Sequence, residues 1–90
     1  MERTNIMFDQ VEMGIRIRRA RMVRKITVEK LADYLMVSVN TIYKWQRGQN
    51  APDIQNLAEL SMILHVSLDY LILGIEERTL GGDSEELSPL

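Results

Sequence analysis

Five times in ninety residues the chain repeats one short signature: an apolar residue, then Ser, Thr or Asp, then another apolar residue four positions beyond that polar one. The instances are Phe8-Asp9 with Met13, Ile26-Thr27 with Leu31, Val37-Ser38 with Ile42, Pro52-Asp53 with Leu57, and Val66-Ser67 with Leu71. A short oxygen-bearing side chain accepts a hydrogen bond from the free N–H groups of a first helical turn, and the flanking apolar pair clasps across that turn as a hydrophobic staple. Asp9 and Glu12 also have the spacing of a capping box. The pattern predicts helices near 10–24, 28–35, 39–47, 54–64 and 68–73. Long alternating runs of β-branched and aromatic residues are missing, so the expected class is all-α, a compact five-helix bundle around one core.

Domain organisation follows from charge and composition. The expected helical domain is 10–75, preceded by an N-terminal arm, 1–9. Residues 76–90 hold Glu76, Glu77, Asp83, Glu85 and Glu86 against Arg78, a local charge of −4. This segment is small and acidic and reads as a flexible C-terminal tail, because it cannot bury enough apolar area to offset its ordering entropy. The whole chain has a net charge of −2, which taken alone argues against a nucleic-acid partner. Between Glu12 and Gly48, however, nine basic residues face three acidic ones, a local charge of +6. The acidic tail masks a basic middle.

No cysteine is present, so no disulfide, thiol nucleophile or thiolate metal site is available. His65 is the only histidine and has no second soft ligand, so no metal and no cofactor are expected. Neither a Gly-rich elbow nor a phosphate cradle surrounds any serine, so there is no catalytic residue and no enzyme is expected. The missing apolar leader and missing membrane-length apolar run lead to the expectation of a cytoplasmic protein without a membrane partner.

The chemistry concentrates in the second and third helices. Only Met36 and Val37 separate the second helix from the Ser38 cap, so the two helices meet steeply, as in a helix-turn-helix. Ile42 and Trp45 lie three apart and are expected to pack inward against Leu31, Ala32 and Leu35. The opposite face of the third helix then shows Val39, Asn40, Tyr43, Lys44 and Arg47, with Ser38 at its tip. Lys44 and Asn40 suit base edges, Val39 a thymine methyl, and Arg47 a phosphate. Tyr43 can hydrogen-bond phosphate or cover surface.

At these residues the chain resembles the lambda-repressor-like, Cro/XRE-type DNA-binding domains. The match runs from Gly14 to Gly74 through Gly14-x-Arg16-Ile17-Arg18, Arg21 and Arg24, then Thr27-x-Glu29-x-Leu31-Ala32. It continues with Val37-Ser38-x-x-Thr41-Ile42-x-x-Trp45-x-x-Gly48, Pro52-x-x-x-x-Leu57-x-x-Leu60 and Val66-Ser67-Leu68-Asp69. The resemblance implies a third helix lying in the major groove and a second helix crossing the backbone. It implies base reading by Ser38, Val39, Asn40 and Lys44, and phosphate contacts by Thr27, Tyr43, Arg47, Arg16 and Arg24, the last two standing at phosphate or structural positions. Arg18 and Arg19 are expected to face water.

Four departures from the family pattern matter. Val28 stands where a phosphate-binding Gln is common. Gln46 stands where an acid often pairs with the residue matching Arg21, so Arg21, expected to tie the first helix to the third, can form at most a hydrogen bond there. Lys25, Met36 and His65 occupy helix ends where Gly is common, each costing about 1 kcal/mol if held at positive φ. Ser61 replaces a usual Ala.

The fifth helix ends Tyr70-Leu71-Ile72-Leu73-Gly74-Ile75, more apolar surface than one core absorbs. Leu68, Leu71 and Ile72 are expected to close the core, leaving Tyr70, Leu73 and Ile75 for a homodimer interface or for cover by the tail. The leading expectation is a sequence-specific regulator of transcription, a repressor that binds double-stranded DNA as a dimer. The alternative is a protein-interaction module, an antitoxin or adaptor, docking a protein partner through the fifth helix or the C-terminal tail.

Overall fold

The computed structural model describes residues 8–75. The tail at 76–90 and most of the arm lie outside the described residues. Within them the chain forms α1 (Gln10–Val23), α2 (Val28–Leu35), α3 (Val39–Gln46), α4 (Ile54–Leu64) and α5 (Leu68–Leu73). All five starts fall at the expected caps: Thr27, Ser38, Asp53 and Ser67 each accept the N–H three residues on. Asp9 accepts from both Val11 and Glu12 through one carboxylate oxygen. Among the described residues the return bond from Glu12 does not form, so this start is a simple cap, not the expected capping box. Helices α1 and α3 each stop one residue early, at Arg24 and Arg47, which serve as C-caps.

The helix ends repeat as regularly as the starts. Lys25, Met36, Gly48, His65 and Gly74 all hold positive φ, between 58° and 79°. Each is followed by a residue whose N–H reaches back to a carbonyl of the last turn, such as Val37 N to Ala32 O at 3.0 Å and Val66 N to Ser61 O at 3.1 Å. This satisfies carbonyls that a helix end leaves free. Three connectors, Lys25-Ile26-Thr27, Met36-Val37-Ser38 and His65-Val66-Ser67, therefore share one plan. A left-handed residue turns the chain, a β-branched residue packs against the core, and a hydroxyl starts the next helix.

Met13, Ile17, Leu31, Ile42, Leu60, Leu64 and Leu71 form the fully buried centre. Helix α1 packs on α3 and α5, α2 on α3 and α4, and α4 on α5. The closest seam is between α1 and α3. A Cβ added to Gly14 would stand 2.3 Å from the Trp45 carbonyl oxygen and 2.7 Å from that of Gln46, so only glycine lets the two backbones meet here. Above it, Gln10 Nε2 donates to the Gly48 carbonyl at 2.8 Å. Val28 is buried in the core, which accounts for an apolar residue at that position.

Helix α5 corrects one expectation. Leu71 is fully buried and Ile72 packs against the core, but Leu68 is exposed while Tyr70 is half-buried against the core. Tyr70 and Leu68 thus exchange their expected places, because α5 presents a different edge to α1 and α4 than its apolar spacing alone suggests.

Candidate nucleic-acid interface

Helix α3 is held on one side and free on the other. Ile42 and Trp45 are buried, Trp45 at 3% exposure. At about 100° per residue, Asn40, Tyr43, Lys44 and Arg47 fall within about 100° of one another on the opposite side. Asn40, Tyr43 and Arg47 are exposed, and Lys44 is half-buried, which leaves its ammonium outermost on a partly covered stem. The four present amide, phenol, ammonium and guanidinium groups, donors that match base edges and phosphate oxygens.

Several anchors fix the pose of this helix. Arg21 Nε donates to Gln46 Oε1 at 2.9 Å, and its Nη1 to the Ile26 carbonyl at 2.9 Å. One side chain of α1 thereby binds the end of α3 and the connector leading into α2. Arg47 Nη2 donates to Gln49 Oε1 at 3.0 Å, which aligns the guanidinium at the rim of the face.

Other expected site residues are placed differently. Arg16, expected at phosphate, donates from Nε to the Leu71 carbonyl at 3.1 Å and from Nη2 to the Ile72 carbonyl at 3.2 Å. It caps the end of α5 with a charge-assisted pair. Val39, expected on the open face, is half-buried against the core, because it lies between that face and Ile42 on the helical wheel. Ser38 is exposed at the tip, but its oxygen accepts from Thr41 N at 3.0 Å and pairs with Thr41 Oγ1 at 2.9 Å. Capping leaves it little freedom to read a base. Thr27 Oγ1 accepts from Lys30 N at 3.0 Å and is exposed, so its proton remains free for an outside acceptor. Arg24 is exposed just after α1.

Leu68 and Leu73 are exposed on α5, and Ile75 is exposed just beyond its Gly74 cap. Sequence reading missed the exposed amides of Gln49 and Asn50, which lie in the turn after the Arg47 cap of α3. Their signal was two carboxamides in the turn after the basic helix. No helix among the described residues is long and apolar enough to cross a membrane.

A helix-turn-helix family model matches residues 17–71. The chain is 33% identical over 70 residues to the HTH-type transcriptional activator BcrR of Enterococcus faecalis, covering 78% of this chain and 34% of that protein. It is 35% identical over 66 residues to the HTH-type transcriptional regulator DicA of Escherichia coli (strain K12), covering 73% of this chain and 49% of DicA. It thus spans between about a third and a half of these curated relatives. Among solved structures, the P22 c2 repressor in complex with a synthetic operator superposes with a TM-score of 0.67. The two are 40% identical, over 70% of this chain and 96% of that one.

Proposed function

This chain belongs to the helix-turn-helix family, and from that premise we propose that it is a sequence-specific transcriptional regulator that binds double-stranded DNA. Helix α3 enters the major groove with Asn40 and Lys44 toward base edges, while α2 crosses the sugar–phosphate backbone. Asn40 suits adenine, whose N6 and N7 match a carboxamide, and Lys44 suits guanine O6 and N7. Arg47, Tyr43, Thr27 and Arg24 hold phosphates, with the Gln49 and Asn50 amides beside them. Arg16 is reassigned to the structure of the domain. Ser38 and Val39 set the tip and flank of the reading helix and contribute little direct readout.

The observation that carries this reading is the exposed arc of Asn40, Tyr43, Lys44 and Arg47 on a helix locked from behind by Ile42, Trp45 and the Arg21–Gln46 bond. The likeness to an operator-bound repressor supports it. The action is occupancy: a domain seated on a promoter excludes polymerase, with no bond made or broken, so the direction we propose is repression, in the cytoplasm. Two copies pair through Leu73 and Ile75, since one short recognition helix reads few base pairs. The relatives named above are transcription regulators, which does not favour the interaction-module alternative. Selection from a random duplex pool tests the proposal: enrichment of one motif is expected, and a pool that stays flat at low ionic strength rejects it.

A further inference from the structure

Helix α1 is apolar on two sides. Met13, Ile17 and Ala20 are buried in the core, and on the far side Ile15, Met22 and Val23 are exposed. With Arg18 and Arg19 these three line a shallow groove, open along one face of the helix. Ile15, Arg18, Arg19 and Met22 sit at i, i+3, i+4 and i+7, so they form one continuous stripe. Neither arginine has an ion pair or side-chain hydrogen bond among the described residues. An exposed apolar stripe flanked by free guanidinium groups suits an occupant that brings both carboxylates and aliphatic side chains.

We propose that residues 76–90 of the same chain, too small and acidic to order by themselves, are that occupant and are held across the outer face of α1 only by its guanidinium groups and apolar side chains. This segment combines Glu76, Glu77, Asp83, Glu85 and Glu86 with Leu80, Leu87 and Leu90, which matches the groove in charge and apolar content. The point of exit fits as well. Arg16 of α1 binds the Leu71 and Ile72 carbonyls, and a Cβ on Gly74 would stand 3.0 Å from Arg16 Nη1. The chain therefore leaves α5 beside α1, one turn from Arg19. From Arg16 to Val23 is about 10 Å along the helix, and fifteen residues can span up to about 50 Å. Seated there, the carboxylates are neutralised on Arg18 and Arg19 and kept off the face of α3, where they would repel phosphate. The proposal does not depend on what α3 binds.

The chain has no cysteine, so Ser88→Cys offers a single thiol for a nitroxide label on the full-length protein. The expected result at low salt is loss of more than half the amide signal at Ile15, Arg18, Arg19 and Met22, with Asn40 and Lys44 unaffected. Signals should recover near 0.5 M salt, where the screening length falls to about 4 Å. Arg18→Glu with Arg19→Glu, or Glu85→Lys with Glu86→Lys, should each abolish the effect, and the four together should restore it. Buried Trp45 emission reports that each variant is folded. Undiminished signals on α1 overturn the proposal, as does broadening at Asn40 and Lys44. Broadening of an unlabelled, isotope-enriched chain by an added nitroxide-bearing one also overturns it, by assigning the groove to a second copy.

Discussion

Lys44 and Arg47 sit three residues apart on the same face, but their surroundings give them different work. Lys44 is half-buried, at the edge of the arc nearest Trp45 and midway between Asn40 and Arg47 along the helix. Arg47 lies at the rim and is steered by Gln49. Lys44→Ala should therefore cost about 1–3 kcal/mol on the preferred site and relax preference at one base pair. Arg47→Ala should weaken all sequences alike and reduce the salt slope by about one. Titrations at two salt concentrations separate the two, and indistinguishable binding by both variants and the parent removes these residues from the interface. Met36 illustrates a different residue-scale effect. It holds φ 58° while 89% exposed, so its side chain offers no packing in return for the strained backbone. Met36→Gly should stabilise by about 1 kcal/mol, raising the thermal midpoint by about 4–8 °C. An unchanged or lower midpoint in a calorimetric scan would contradict the strain argument.

Between elements, the decisive contact is the seam of α1 and α3. Gly14 sits mid-helix, where replacing it by Ala would ordinarily help by about 1 kcal/mol. Here the new Cβ would meet backbone, the Trp45 and Gln46 carbonyl oxygens, which cannot rotate away as a side chain would. Gly14→Ala should thus destabilise the domain by about 1–3 kcal/mol, shift Trp45 emission, and weaken DNA binding through the displaced α3. Equal or greater resistance to urea would show that the helices separate without penalty. The same seam explains why Arg21 matters: its two bonds lock the helix that Gly14 allows to come close.

On the scale of the whole molecule, Leu73 and Ile75 leave apolar surface exposed at the end of α5. In the proposed dimer that apolar surface is buried against a second copy, giving a two-fold pair whose α3 helices would meet successive major grooves. The motif enriched from the random pool should accordingly be an inverted repeat with half-site centres about 34 Å apart. Leu73→Glu, which charges the seam, should reduce it to a single half-site. An inverted repeat that survives this change would move the dimer contact elsewhere.

The caps and helix ends were legible in the sequence because they are local: each depends on residues within one turn, and Asp9, Thr27, Ser38, Asp53 and Ser67 all start helices where their spacing indicated. The inward setting of Ile42 and Trp45 was legible for the same reason, since helical period alone separates them from Asn40 and Lys44. What the amino-acid order could not decide was which partner each side chain meets across the fold. Arg16 and Arg21 look alike on α1, but packing sets one against the carbonyls of α5 and the other against Gln46. Tyr70 and Leu68 exchanged places because burial depends on how neighbouring helices tilt together. Periodicity assigns a residue to a side of its own helix; only the assembled bundle determines what lies on that side.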